Sequence, residues 1–213
     1  MQNKKLVLIS TLVLLVLFFV VGYVYKTNES QKYTKMSQEQ SKLFQRNYSF
    51  VVGNENAKVQ LVEFFDPACG TCAMFHPLVK DIMKEHEGKI KLVYRYAPFH
   101  KNSDYAVVML EGAREQGLFL ETLELMFETQ AYWVQDHIVN PMELWNILSN
   151  VKGLDMDKLK QFMNSKKADE IVKQDLADAQ TLGANKTPSY FVNGKPLLEF
   201  GLENLKKLIK SEL

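Results

Sequence analysis

An α/β fold interrupted by an all-helical insertion and preceded by an N-terminal transmembrane helix is what this sequence predicts, and three observations lead there. Along the chain the periodicities run strand, helix, strand, a long helical stretch, strand, strand, helix. The helical stretch, about residues 103 to 183, carries no strand signal and far exceeds the roughly 4 to 6 residues of an ordinary connection, so it must fold as a unit. Ahead of all this, Lys4 and Lys5 precede an uncharged apolar run from Leu6 to Tyr25. At 1.5 Å per residue its length of about 20 residues just spans a hydrocarbon core of roughly 30 Å.

The chain has 213 residues, 26 basic and 25 acidic, for a formal net charge of +1. That is enough chain for one domain carrying an insertion, and nothing in the charge balance points to nucleic acid or acidic polymers as partners. Two cysteines cannot staple a scaffold, so their sulfur serves chemistry or metal.

Residues 1–25 read as an uncleaved membrane anchor. The alternative is a signal peptide, whose apolar core is usually about 7 to 15 residues and ends in an Ala-x-Ala-like site; here only Val20-Val21-Gly22 faintly qualifies. The short basic N-terminus favours a catalytic domain outside the cytoplasm, although Lys26, Lys32 and Lys35 blunt the charge bias. Residues 26–47, rich in Lys, Gln, Ser and Glu, form a polar tether with too few apolar positions for a dimerisation domain. The folded domain then spans 48–213.

Its first strand runs from Ala57 to Phe65, with a turn at Asp66-Pro67. A helix follows from Cys72 to Glu87, with Pro77 inside predicting a kink and Gly88 ending it. Lys89 to Tyr96 alternates as a second strand, and a strand, helix, strand unit makes the two strands parallel. Within the insertion, Ser103-Asp104 caps a helix that stops at Gly117, and Leu118 to Gln130 forms the next. Asn140-Pro141 begins a third, with Asn as cap and Pro at the first helical position. Met156 to Lys166 and Ala168 to Leu182, ended by Gly183, complete it. Ser189 to Val192, the Asn193-Gly194 turn and Lys195 to Phe200 form a hairpin, and an amphipathic helix from Leu202 to Leu213 closes the chain. Phe119, Leu123, Met126, Phe127, Tyr132 and Trp133 suit one buried helix face better than a ligand pocket.

Both cysteines, Cys69 and Cys72, fall at the first strand-to-helix junction as one Cys-x-x-Cys pair. At a helix N-terminus unpaired N–H groups and the helix dipole favour a thiolate, which makes Cys69 the expected nucleophile with a lowered pKa. Cys72 is then placed to resolve a mixed disulfide from within the motif. Glu63 shares a strand face with Val59, Leu61 and Phe65. Buried there, it would have a raised pKa and could relay the proton that Cys72 must lose; the alternative is an exposed strand edge.

These residues resemble the DsbA-like branch of the thioredoxin superfamily from about Tyr48 to the C-terminus. Val62-Glu63-Phe64-Phe65 leading to Cys69-Gly70-Thr71-Cys72 is similar to that family's strand and active-site helix. Tyr96-Ala97-Pro98-Phe99-His100 followed by Asn102-Ser103 resembles its exit into the helical insertion. Thr187-Pro188-Ser189-Tyr190-Phe191-Val192-Asn193-Gly194 looks like its cis-proline loop and hairpin. The resemblance implies a thioredoxin fold, a cis Thr187-Pro188 bond packed beside Cys69, and substrate contacts through Thr187, Gly70 and Thr71. It implies dithiol-disulfide exchange with cysteine-containing client proteins, with disulfide formation favoured over reduction or isomerisation. The Cys69–Cys72 disulfide is itself the redox carrier, so no cofactor is expected. It implies recharging by a membrane redox partner, on the periplasmic side of a bacterial inner membrane. Two departures stand out: Lys186 where the family often has glycine before the Thr-Pro pair, and Gly70-Thr71 without the histidine of the most oxidising relatives. Lacking that imidazole, the reduced form gains less stability and the potential should be less oxidising.

Two readings from other classes compete. Cys69, Cys72 and His76 form a C-x2-C-x3-H cluster that could bind metal, but structural zinc needs four ligands, and His86, His100 and His137 follow no ligand spacing. The other is a tethered peptide-binding chaperone whose thiols are incidental.

Overall fold

The computed structural model describes the backbone of residues 4–39 and 41–213, without the side chains of residues 5–7 and 25–39. Helix α1 spans Lys4–Glu39 and α2 spans Ser41–Phe44. From 8 to 24 the large apolar side chains of α1 are about half or more exposed, from 48% at Val24 to 73% at Phe18. No helix among the described residues is long and apolar enough to cross a membrane. The expected spanning segment runs onto Leu6, Val7 and Tyr25, whose side chains lie outside the described residues.

The tether is redrawn. Its backbone is helical through Glu39, and its last residues already belong to the domain. Phe44 is fully buried, stacked edge-on to Phe191 at 5.6 Å, and Arg46 is ion-paired to Asp178. Phe44, within the stretch read as a polar tether, is thus a core contributor.

The core sheet comprises β1 (Phe50–Gly53), β2 (Val59–Phe65) and, after helix α3 (Gly70–Glu85), β3 (Ile90–Tyr96). Parallel pairing of β2 and β3 matches the crossover expected of strand, helix, strand. The unexpected β1 lies antiparallel along the outer edge of β3, Phe50 opposite Tyr94 and Gly53 opposite Lys91. Gly53 (φ +99°) is required there, because a Cβ would lie 2.6 Å from the Ile90 carbonyl oxygen.

The insertion holds α4 (Ser103–Arg114), α5 (Phe119–Glu128) and α6 (Gln130–Trp133), a two-residue ribbon of β4 (Val134–Gln135) and β5 (Ile138–Val139), then α7 (Pro141–Leu148), α8 (Met156–Met163) and α9 (Lys166–Leu182). The β4–β5 ribbon corrects the all-helical expectation. As expected, Asn140 caps α7 through a bond from the Glu143 N–H, with Pro141 at the helix start, and Gly183 ends α9 in the left-handed region. Ser103 is not the cap of α4: Asn102 occupies that position at φ +64° with no side-chain bond. The Ser103 hydroxyl is drawn to Asp66 and the His100 carbonyl instead.

The chain returns to the sheet as β6 (Ser189–Val192) and β7 (Lys195–Pro196), and ends with α10 (Leu202–Lys210). The β7 strand stops well short of Phe200. Strand order is β1-β3-β2-β6-β7. Period-two alternation divides the core: Val59, Leu61, Phe65, Leu92 and Tyr94 face α3 and the insertion, whereas Val62, Phe64, Val93 and Phe191 pack with Phe44 and Ala179 on the opposite face. Of the aromatic and Met-rich group, Phe119, Leu123, Met126 and Trp133 are core residues, while Tyr132 is exposed.

Candidate active site

Both cysteines are free thiols at the N-terminus of α3. The helix starts at Gly70, earlier than expected, so Cys69 is its N-cap, and the sulfur takes the place an Asp or Ser oxygen usually occupies. The Cys72 N–H donates to Cys69 Sγ at 3.4 Å. Cys69 retains slight exposure, 6% against 0% for Cys72. The two thiols are driven apart electrostatically. Hydrogen bonding from Cys72 holds Cys69 down at about 6 against the opposing effect of burial. Burial pushes Cys72 well above an ordinary thiol, and the charges of Cys69 and Glu63 push it further.

The Thr187–Pro188 peptide is cis. The Thr187 carbonyl oxygen lies 3.3 Å from Cys69 Sγ and accepts its S–H when the thiol is protonated. Thr187 and Thr71 are half-buried and Gly70 is exposed. Lys186 is exposed, and its carbonyl accepts the Ser189 hydroxyl at 2.6 Å.

Glu63 lies inside β2, flanked by β3 and β6, and is 3% exposed. Its Oε1 accepts the Tyr190 hydroxyl at 3.0 Å, and Oε2 has no protein partner among the described residues. Burial raises its carboxyl to about 8, opposed by the Tyr190 bond and reinforced by the charge of Cys69.

Sequence reasoning missed a cluster beside the sulfur. A cleft of ≈660 Å³ is lined by Cys69, Gly70, Met74, His100, Gln130 and His137 among others, which sets residues of the insertion beside the dithiol. Gln130 Nε2 donates to the Pro67 carbonyl at 2.8 Å and ties α6 to the turn before Cys69. His100 Nδ1 lies 2.7 Å from Asp66 Oδ2. Asp66 had registered only as a turn signal and His100 only as part of a strand exit. They are 34 residues apart, and no local pattern links them.

His76 is buried against Phe127, ring centroids 5.2 Å apart. Burial lowers its pKa, and the Lys80 charge lowers it further. Among the described residues no group of three His, Cys, Asp or Glu side chains could hold a metal ion, so Cys69, Cys72 and His76 do not converge as ligands.

A family model described as thioredoxin matches residues 45–211. The "Probable disulfide bond formation protein D" of Bacillus anthracis is 25% identical over 218 aligned positions, covering 100% of this chain and 98% of the relative. An Na(+)/H(+) antiporter NhaA of Herminiimonas arsenicoxydans is 31% identical over 146 residues, 68% of this chain, which spans only 22% of that relative's length. Among solved structures, oxidised BdbD from Bacillus subtilis superposes with a TM-score of 0.70 at 24% identity, over 79% of this chain and 94% of that one.

Proposed function

Because the chain belongs to the thioredoxin family, as a DsbA-like protein-disulfide oxidoreductase, we propose that its Cys69–Cys72 pair donates disulfides to cysteine-containing proteins outside the cytoplasm. One observation carries the direction. The Cys69 sulfur caps α3 and accepts the Cys72 N–H at 3.4 Å, an arrangement that favours the thiolate and holds the thiol at about 6, so near neutral pH it is largely a thiolate in the reduced protein. A stabilised thiolate stabilises the reduced form and makes the disulfide a better oxidant.

In the forward reaction a client thiolate attacks Cys69 Sγ and the Cys69–Cys72 bond breaks. Cys72 leaves as a thiolate and, with its high proton affinity, takes a proton; Glu63, protonated below about 8, is the relay that supplies it. A second client thiolate attacks the client sulfur of the mixed disulfide and expels Cys69 as a thiolate. Two electrons pass from client to enzyme, and the client leaves with one disulfide. The Thr187 backbone pairs with the extended client chain and aligns its sulfur with Cys69. Recharging removes two electrons from the Cys69–Cys72 dithiol to a membrane redox partner, with Glu63 as carboxylate accepting the Cys72 proton.

The proposed place of action is the outer side of a bacterial cytoplasmic membrane, held there by residues 6–25. Supporting this are the uncharged apolar run in the sequence and the exposure of its side chains from 8 to 24. Retention in membranes washed with alkaline carbonate, with an intact N-terminus, is expected; a mature N-terminus near Tyr23 would contradict it.

The deciding experiment is the reduction potential of the pair combined with its redox state in cells. A potential clearly above the roughly −270 mV of thioredoxin, shifted toward the roughly −120 mV of strong oxidants, is expected, with Cys69 and Cys72 oxidised at steady state. A value near the lower figure with the pair reduced would assign a reductase or isomerase, the direction to which Gly70-Thr71 inclines. Replacing Cys72 with Ala should accumulate mixed disulfides with clients, whereas replacing Cys69 should accumulate few; the reverse would exchange the roles of the two thiols.

A further inference from the structure

Asp66 is fully buried at the bend between β2 and α3, yet it is saturated with donors. Oδ1 accepts the Ala68 N–H at 2.8 Å. Oδ2 accepts the N–H groups of Phe99 at 2.8 Å and His100 at 3.0 Å, and the Ser103 hydroxyl at 3.1 Å. The same oxygen meets His100 Nδ1 at 2.7 Å. Backbone and ring of one histidine are therefore fixed to a single carboxylate oxygen. His100 lines the same cleft as Cys69, and Nε2 is the ring nitrogen that Asp66 does not hold. The His137 ring stacks on His100 at 5.6 Å with 25° between planes, and His137 adopts φ +62° in the β4–β5 turn, so the imidazole is flanked on a second side.

We propose that His100, oriented by Asp66, is a positioning residue that acts as a fixed cation toward the Cys69 thiolate and thereby sets how strongly the pair oxidises its clients. The proposal rests on the oxidoreductase reading and deepens it, placing in space a positive charge that the dipeptide Gly70-Thr71 does not supply. The physical basis is reciprocal. Bonding to Asp66 raises the His100 pKa, burial opposes this, and the charges of Asp66 and Cys69 raise it further. A thiolate that stabilises an imidazolium is stabilised by it to the same extent. Among the described residues the other charged or titratable side chains lining this cleft are Asp136 and His137 on the β4–β5 turn, and Lys101 follows His100 on its own segment. Asp66 is spent on five hydrogen bonds and holds the ring rather than facing the sulfur.

The test uses the full chain. In His100→Gln the amide can still donate to Asp66 but carries no charge. Thiolate absorbance followed against pH should show the Cys69 pKa raised, with the thiolate-to-thiol ratio at pH 6 reduced at least threefold. The equilibrium constant for oxidising glutathione at pH 7 should fall about twofold or more. An unchanged Cys69 titration in a folded variant overturns the proposal. A second measurement needs no variant: the His100 imidazole titration, followed by NMR in the unmodified protein, should have a higher pKa in the reduced form than in the disulfide form, where Cys69 carries no charge. Equal values in both forms overturn the proposal. Its failure is separable from that of the function. A reducing potential with a His100-dependent Cys69 titration sinks the oxidase direction alone, whereas an oxidising potential with no such dependence sinks only the role of His100.

Discussion

Glu63 sits where burial and chemistry conflict. The carboxyl is raised to about 8 because burial penalises the charge, against one hydrogen bond from Tyr190. An unfolded glutamate loses its proton near 4.3. Between those values the folded state holds a proton that the unfolded state has released, so stability falls as pH rises from about 4.5 to about 8. Replacing Glu63 with Gln removes that loss. The variant should match the parent near pH 4.5 and exceed it at pH 8 by something on the order of a few kcal/mol, read by urea unfolding of the same redox form. It should also lose turnover, because Cys72 would have lost its proton relay. An equal stability difference at both pH values would mean that Glu63 is not protonated in the fold. Glu63 was legible in the sequence because it interrupts an apolar alternation. Asp66 and His100 were not, since their partnership exists only once β2 and the exit of β3 lie side by side.

Among the elements, α4 and α8 pack against each other at Gly112, where an added Cβ would collide with Leu159 Cδ1 and lie 3.2 Å from Phe162 Cδ1. In an open helix Gly→Ala gains about 1 kcal/mol of helix propensity. In this contact overpacking costs about 1 to 3 kcal/mol, and the collision with a fully buried Leu159 places the net effect on the unfavourable side. Gly112→Ala should therefore lower the Tm by a few degrees while leaving the Cys69 titration unchanged; a raised Tm would show that α8 yields easily. Helices with chemical end signals were readable in this way: Asn140-Pro141 and Gly183 mark ends that the chain does adopt. The strands missed were those with no room for a period. Four residues from Phe50 to Gly53, and two pairs in the β4–β5 ribbon, are held by register against neighbours rather than by their own pattern. Ser103 was misread as a cap because its hydroxyl is captured by Asp66 from another part of the chain.

At the scale of the molecule, the face of the sheet remote from the dithiol is fastened by a buried charge cluster that joins three separated segments. Arg95 on β3 is fully buried, with Asp175 at 2.7 Å and Asp178 at 2.6 Å on α9. Arg46, ahead of β1, reaches Asp178 at 2.6 Å, and Asp175 also accepts the Tyr96 N–H at 2.8 Å. Arg95 further stacks over Phe64, 5.2 Å from the ring centre. These contacts dock the last helix of the insertion on the sheet, so the insertion is anchored at the back while α6 and the β4–β5 turn line the Cys69 cleft at the front. Removing one partner of such a cluster strands the others, at a cost of about 3 to 5 kcal/mol, far more than an exposed pair. Arg95→Met should show a loss of that size at pH 7 by urea unfolding. The pH dependence has a defined sign. Burial alone would raise Asp178, but its bonds to Arg46 and Arg95 hold it below the usual carboxylate range. Its contribution to stability is thus present above an unfolded aspartate's value of about 3.9 and lost as pH falls through its folded value. Because the Met variant lacks much of that contribution, its deficit should shrink as both proteins are taken below about pH 4, where an unpaired carboxylate can protonate. A deficit that stays constant down to pH 3 would mean that Arg95 acts by packing against Phe64 rather than by charge.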